Sequence, residues 1–153
     1  MRLASLTWCL LLWCVLGCSR GFSSRELGVQ YAPPPGMGFR SEEAGPPARA
    51  LFEGGLELRS VRGVPPALDA GAEVVLAAAG LQPPGSLLQG SEGTLPAGPV
   101  ARYEFSRADG VRTLVYFVPG KDDFVLVVFA APERDYGALS SRVELSLSSL
   151  RRL

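Results

Sequence analysis

Apolar and polar side chains alternate from Ala101 to Ser106, the period of two that is typical of a strand with one buried face. Two further runs rich in strand-forming residues follow at short intervals, at residues 111–118 and 124–131. Asp109-Gly110 lies between the first two runs, and glycine accepts the positive φ that a tight hairpin needs. The pattern therefore predicts an antiparallel meander of three strands over residues 100–131.

The third run differs from the first because it is apolar at every position from Phe124 to Ala131. A strand with this pattern is covered on both faces, so we expect it to lie in the centre of a sheet. Pro119-Gly120 precedes it and suits the two central positions of a type II turn. The rest of the chain has to supply the cover for both faces.

Shorter strands are predicted before the meander. Gly28–Tyr31 and Met37–Arg40 are the first two, with a polar loop from Ser41 to Pro47 after them. Residues 50–52 and 56–62 flank a Gly-rich turn and read as a hairpin. Residues 81–99 are rich in Gly and Pro and are predicted to be a long, mobile loop with a possible short strand at 86–89.

Two helices are predicted from apolar residues at spacings of three and four. The first has Pro66 and Asp69 near its start and Gly80 as its C-terminal cap. Its apolar stripe consists of Leu68, Ala72, Val75, Leu76 and Ala79. The second starts near Pro132, and Arg151 and Arg152 are expected at its negative end. Its stripe consists of Tyr136, Leu139, Val143, Leu147 and Leu150.

This order of elements predicts an α+β fold, with an antiparallel sheet of about five to seven strands covered by two helices. The plan resembles the PsbP-like/DcrB-like fold over residues 28–152. The resemblance rests on YAPPPG at residues 31–36, on the strand at 56–62, on the meander and on SSLR at residues 148–151. Met37 stands where such proteins often have an aromatic residue. The resemblance implies an α/β/α sandwich with no catalytic role, often a lipoprotein or an accessory to a larger assembly.

The composition argues against several kinds of binding and catalytic site. The chain of 153 residues allows one modest domain, and its 15 basic and 15 acidic residues provide no basic field for a nucleic acid. Histidine is absent, which excludes Ser-His-Asp and Cys-His systems within the chain. We expect no cofactor and no metal site, because Asp122-Asp123 and Glu42-Glu43 read as solvated pairs. Lys121, the one lysine, is expected to be solvated in a turn.

The N-terminus reads as an export signal. Arg2 precedes an apolar run from Leu3 to Leu16 that is too short for a comfortable membrane span. Val15-Leu16-Gly17-Cys18 then resembles the bacterial lipobox, although leucine is less usual at position 16. The resemblance implies that Cys18 takes a diacylglycerol and becomes the mature N-terminus. Two or three acyl chains would anchor the protein stably to a membrane.

The predicted organisation is a signal peptide at residues 1–17, a tether at 18–27 and a single domain at 28–153. Two alternatives remain open, an ordinary signal peptide cut near Gly17 or Ser19 and a retained membrane helix. Export would remove Cys9 and Cys14 with the signal, so that no disulfide is expected. By resemblance to the enterobacterial sorting rule, Ser19 favours the periplasmic face of the outer membrane.

These observations favour a non-catalytic envelope lipoprotein that presents a protein-interaction surface in a membrane-associated assembly. The alternative is a module that binds a hydrophobic small molecule or a lipid, and a hydrolase is a distant third. A large apolar patch would support the first, and a deep apolar pocket with a few polar groups would support the second. A cleft that holds a carboxyl group with a raised pKa would support the third.

Overall fold

The computed structural model describes residues 21–153. This part of the chain contains ten strands, two α-helices and two short 3-10 turns, at Glu53–Gly55 and Leu147–Ser149. The strands are β1 (Phe22–Ser24), β2 (Val29–Tyr31), β3 (Phe39–Glu43), β4 (Ala48–Phe52), β5 (Leu56–Arg62), β6 (Ser86–Leu95), β7 (Gly98–Ser106), β8 (Val111–Pro119), β9 (Asp123–Pro132) and β10 (Arg151–Arg152). The helices are α1 (Ala72–Ala78) and α2 (Glu133–Ser146).

Seven strands form the main sheet in the order β3-β4-β5-β9-β8-β7-β6, and every neighbouring pair is antiparallel. A smaller sheet has the order β1-β2-β10. The predicted α+β class and the three-stranded meander are confirmed. Strand β9 is the fourth of seven, which is the central position that its apolar run predicts.

The main sheet is covered on both faces. Val125, Val127 and Phe129 of β9 point to a core that also contains Val143 and Leu147 from the end of the chain. Phe124 and Leu126 point to the opposite core, where they meet Val75 and Leu76 of α1. The result is an α/β/α sandwich, in which the side chains of one strand alternate between two cores.

Helix α1 is shorter than predicted at its start. Gly71 has a φ of 88°, a value outside the helical region, so the helix begins at Ala72 and not near Pro66. Its end is as predicted, since Gly80 has a φ of 68°. The backbone N–H of Gly80 donates to Ala77 O at 2.9 Å and that of Leu81 donates to Leu76 O at 2.9 Å. These two bonds form the Schellman motif that ends many helices.

The end of the second helix differs from the prediction. Helix α2 stops at Ser146 and passes through a 3-10 turn, after which Arg151 and Arg152 form β10. Arg151 lies opposite Gln30 and Arg152 opposite Val29, so both arginines are strand residues and do not sit at the negative end of a helix. The apolar stripe is nevertheless correct, with Tyr136, Val143, Leu147 and Leu150 all buried.

The domain begins earlier than the sequence predicts. Residues 22–24 form β1, which pairs with β2, so that part of the expected tether at 18–27 is folded. The Phe22 ring stacks on Phe39 with 5.0 Å between centroids and meets Phe52 edge-on at 5.3 Å. Leu27 is fully buried as well. These apolar contacts explain why the segment does not behave as a tether.

Three further predictions are wrong in detail. Residues 81–99 are not a long mobile loop, because Ser86–Leu95 forms β6 and pairs along its length with β7. The second strand lies at Phe39–Glu43, shifted toward the predicted loop. Gly120 is not among the glycines with positive φ, as a type II turn at Pro119-Gly120 would require, although a hairpin does connect β8 and β9 there.

Candidate functional site

The proposed lipid-attachment residue, Cys18, lies outside the described residues. Both acidic pairs lie within them, and three of their four carboxylates have structural partners. Asp123 is paired with Arg152, and Glu43 with Arg49. Glu42 accepts a hydrogen bond from Ser24, which ties β3 to β1. These three carboxylates therefore have protein partners at strand ends, whereas the sequence predicted that they are only solvated.

Metal and membrane-spanning features are not found between residues 21 and 153. No group of three or more Asp, Glu or Cys side chains in this range is arranged to hold a metal ion. Neither of the helices in this range has the length and apolar character needed to cross a bilayer. Lys121 is exposed in the turn before β9, as its sequence context predicts.

The densest polar cluster lies between the sheet and α2. Arg102 of β7 donates from Nε to Glu144 Oε1 at 2.6 Å and from Nη1 to Glu104 Oε2 at 2.9 Å. The Tyr116 hydroxyl also donates to Glu144 Oε1, at 2.9 Å. Arg112 lies 3.3 Å from Glu104 and places its guanidinium 5.0 Å from the centroid of the Tyr136 ring. The cluster joins β7 and β8 to α2.

The charge balance of this cluster argues against acid chemistry. Burial opposes ionisation of Glu104, but the guanidinium groups of Arg102 and Arg112 outweigh it and hold the pKa of that carboxyl below its ordinary value. A general acid for hydrolysis needs the opposite shift. The cluster is therefore built to hold α2 on the sheet, and it gives no support to the hydrolase alternative.

A cavity of about 460 Å³ opens to solvent between the end of α1, the loop before β4 and the end of β5. Short side chains such as Pro47, Ala48 and Ala79 form its walls, and the charged residues Glu26 and Arg62 also line it. A pocket for a hydrophobic ligand encloses most of that ligand among apolar side chains. This open depression with charges in its lining does not have that character.

The main sheet has two edges, β3 and β6, and they are very different. Strand β3 has five residues, three of them charged (Arg40, Glu42 and Glu43). Strand β6 has ten residues, of which only Glu92 is charged, and all but the last are exposed. Charged residues, prolines and short length normally protect the edge of a sheet from pairing with another chain.

Strand β6 lacks these protections, although its pairing with β7 has a register shift between Leu87 and Gln89, and we call it the β6 edge (Ser86–Leu95). Among residues 21–153 it pairs with β7 on one side only, and every second residue of such a strand directs its N–H and C=O groups outward. Leu87 and Leu88 are 52% and 51% exposed near one end of this edge. The arrangement suits the addition of another strand.

Sequence reasoning predicted only a possible short strand at 86–89 and missed the rest of the β6 edge for a physical reason. Both faces of β6 are exposed, so its residues show no alternation of apolar and polar side chains. Its Gly and Ser residues are typical of loops. The available signal was the turn between β6 and β7, where Leu95 lies opposite Gly98 and Gly98 has a φ of 124°. A hairpin at this position implies a strand before β7.

The fold defines the class: the chain has the PsbP-like α/β/α sandwich. The solved structure of cyanobacterial PsbP (CyanoP) from Synechocystis sp. PCC 6803 is similar to it with a TM-score of 0.56, over 91% of this chain and 96% of that one. Their sequences are 14% identical, so the similarity shows the fold and not a shared role. No family model matches the sequence, and no curated protein matches it.

Proposed function

We propose that this protein is an exported, lipid-anchored domain without catalytic activity, which presents its β6 edge to a protein partner in a membrane-associated assembly of the cell envelope. The observation that carries the proposal is the ten-residue edge strand, which is exposed at all but its last residue and, within the part of the chain that the structure describes, pairs on one side only, with β7. A strand with this exposure gains backbone hydrogen bonds when another chain pairs with it.

The lipobox-like stretch supports the membrane part of the proposal. Cys18 precedes the first buried residue of the domain, Phe22, by only four positions. An extended chain spans at most about 3.6 Å per residue, so the fold would lie within roughly 14 Å of the acylated residue. Such a short connection would hold the domain at the membrane surface, on the periplasmic face of the outer membrane if Ser19 acts as in the enterobacterial sorting rule.

The anchor is tested by the intact mass of the protein extracted from membranes, for the wild type and for Cys18→Ala. We expect the wild type to begin at Cys18 and to carry acyl chains, and the variant to retain residues 1–17. A soluble, unmodified wild type cut at another position would contradict the lipoprotein proposal.

The interaction surface is tested by photocrosslinking in cells that produce the lipidated protein. A photoreactive amino acid replaces Ser91 on the β6 edge or, as a matched control, Ser141 on the exposed side of α2. We expect a protein adduct from position 91 that is absent from position 141. The proposal fails if neither position yields an adduct or if both yield the same one.

A further inference from the structure

A groove runs beside the β6 edge on the face of the sheet that carries α1. It consists of two adjoining depressions of about 270 and 280 Å³, which meet at Gly71. Ala101, Tyr103 and Phe105 of β7 form its floor. We call this feature the α1–β6 groove. A strand added at the β6 edge would lie on the other side of β6 from this floor, so its long side chains would reach the groove across Gly90, which has no side chain.

The rim of the groove is acidic. Asp69 and Glu92 lie on the two sides of the first depression, and Glu73 lies at the second. None of the described residues that line the groove is a lysine or an arginine. Since the chain as a whole is balanced at 15 basic and 15 acidic residues, this one-sided lining is a local property of the groove.

The second depression has an apolar lining that is open to solvent. Val74 of α1 is 51% exposed and Leu87 of β6 is 52% exposed, and both face this depression beside Pro83. The groove therefore has an acidic end near Glu92 and a largely apolar end near Leu87. Exposed apolar residues in a rimmed depression are typical of interaction sites.

A second, independent feature lies in the floor. Tyr103 is only 5% exposed, and its hydroxyl has no hydrogen-bond partner among the described residues. Burial, and then the charge of Glu92, raise the pKa of this hydroxyl. A buried polar group without a partner is unfavourable in a free protein and is commonly completed by a ligand or a water molecule.

We infer that the partner contributes an extended segment with cationic and apolar side chains, which pairs with the β6 edge and places those side chains in the α1–β6 groove. This inference rests on the proposed function and names the chemistry of the partner. The cationic side chains lie between Asp69 and Glu92, and the apolar ones lie against Val74 and Leu87. Backbone pairing provides affinity, and the charges select the partner.

A second copy of this chain fits the edge less well. Antiparallel pairing of two β6 edges around a two-fold axis normal to the sheet would place both α1 faces on the same side. The acidic rims, each with Asp69, Glu73 and Glu92, would then approach one another, and like charges in proximity are unfavourable. A cationic partner removes this repulsion.

The test measures the binding of two labelled peptides, each of about ten residues to match β6. In the cationic peptide, every second residue is threonine and the residues between are lysine or leucine. In the acidic peptide, glutamate replaces every lysine. Full-length protein in a non-ionic detergent is titrated by fluorescence anisotropy. We expect the cationic peptide to bind in a salt-sensitive manner and the acidic peptide to bind at least about tenfold more weakly.

Substitutions at the rim and floor locate the binding site. Asp69→Asn and Glu92→Gln should each lower the affinity for the cationic peptide by roughly threefold to tenfold at low salt. Tyr103→Phe should weaken it while the thermal midpoint of the free protein stays the same or rises, because the unpartnered hydroxyl is lost. A purely structural role for Tyr103 would not lower peptide affinity while the midpoint is maintained.

Two glycines of β6 provide a matched pair of variants. A Cβ on Gly90 would lie 3.5 Å from Tyr103 Cδ1, over the floor of the groove, whereas a Cβ on Gly93 would lie 4.0 Å from Val100 Cγ2 on the opposite face. Neither residue has a positive φ. We expect Gly90→Val to lower the affinity for the cationic peptide by at least about tenfold, and Gly93→Val to change that affinity by less than about twofold.

The inference is overturned if both peptides bind equally, if Gly90→Val and Gly93→Val behave alike, or if the edge is occupied by a second copy in sedimentation experiments. These failures are distinct from failure of the proposed function. An adduct specific to position 91, without any effect of the rim charges, would retain the interaction surface and reject the cationic segment. Peptide binding without such an adduct would reject the envelope partner.

Discussion

Arg102 of β7 and Glu144 of α2 form an ion pair across the interface between the sheet and the helix, with 2.6 Å between Nε and Oε1. Their side chains are 21% and 32% exposed, so water screens the pair only in part. Tyr116 donates to the same carboxylate oxygen. One carboxylate thus connects α2 to two neighbouring strands, at the face opposite the α1–β6 groove.

Removing this carboxylate should loosen α2. Glu144→Ala deletes both hydrogen bonds to Oε1 and leaves Arg102 with Glu104 as its acidic partner. We expect the free energy of unfolding to fall by about 1–2 kcal/mol, measured by urea denaturation. Arg134→Ala is the control, because the Arg134–Asp135 pair is 84% and 49% exposed and should contribute less than about 0.5 kcal/mol. Equal effects of the two variants would contradict this assignment.

The hydroxyls of Tyr31 and Tyr116 should lose their protons at a higher pH than an exposed tyrosine does. Burial raises the pKa of Tyr31 to about 12, and the hydrogen bond from or to Ser146 only partly offsets it. Burial, followed by the Glu144 carboxylate, also raises the pKa of Tyr116 to about 12. Each pKa is higher in the folded protein than in the unfolded chain, where it is near 10. The contribution of these two tyrosines to the free energy of unfolding is therefore complete below pH 10 and is lost as the pH rises toward 12.

The measurement is tyrosinate absorbance against pH, with circular dichroism recorded on the same samples. We expect little tyrosinate at pH 10, the ordinary pKa of the side chain, and a rise that accompanies loss of folded structure. Tyr31→Phe should make the alkaline decline in stability less steep. If the tyrosines ionised completely around pH 10 while the protein remained folded, the result would contradict the burial of these rings.

The accuracy of the sequence predictions depended on burial. Strand β9 was predicted as central because its side chains are apolar on both faces, and a fully buried strand has no other pattern. Only residues 86–89 of β6 were predicted as a possible strand, because neither face of β6 is buried and the hydrophobic effect leaves no periodic trace in it. The candidate site was missed for the same reason, since an edge awaiting a partner resembles a loop in sequence.

Local conformation was predicted where one residue type determines it. Gly80 ends α1 as expected, because its position requires a left-handed residue after the last turn. Gly71 has the same freedom, and with its φ of 88° the helix begins at Ala72, six positions after Pro66, near which the start was predicted. Periodicity alone could not reveal this break, because the apolar stripe continues through Leu68.

Gly55 should be the least replaceable glycine of the β4–β5 turn. Its φ is 83°, and a Cβ at this position would lie 2.3 Å from the backbone oxygen of Ala130 in β9. Gly110 has a similar φ of 79° but has nothing within 4 Å of an added Cβ. The left-handed conformation alone costs about 1–2 kcal/mol for alanine, which is the effect expected of Gly110→Ala.

Gly55→Ala should lower the free energy of unfolding by about 1–3 kcal/mol more than Gly110→Ala does, because the backbone of β9 must move as well. The comparison uses urea denaturation of the two variants and the wild type. Since both glycines share the same backbone strain, the difference between the variants isolates the steric contact with Ala130. Equal destabilisation would mean that the strand accommodates the methyl group without a penalty.

The folded boundary at the N-terminus yields a final prediction. A chain that starts at Gly28, where the sequence predicted the domain to begin, lacks β1 and the fully buried Leu27. It also lacks the Phe22 ring, which contacts Phe39 and Phe52. Truncating one large core side chain costs about 2–5 kcal/mol, so the loss of two should cost more than roughly 4 kcal/mol.

A chain that starts at Gly21 keeps these contacts and serves as the reference in the same urea titration. Arg25→Ala in that chain is the control for surface changes in this segment, because Arg25 is exposed and its removal should alter stability by less than about 0.5 kcal/mol. If the two truncations were equally stable, residues 22–27 would be a tether after all. If the shorter chain is unfolded, the rigid fold starts four residues after Cys18, and an acylated Cys18 would hold the domain directly against the membrane.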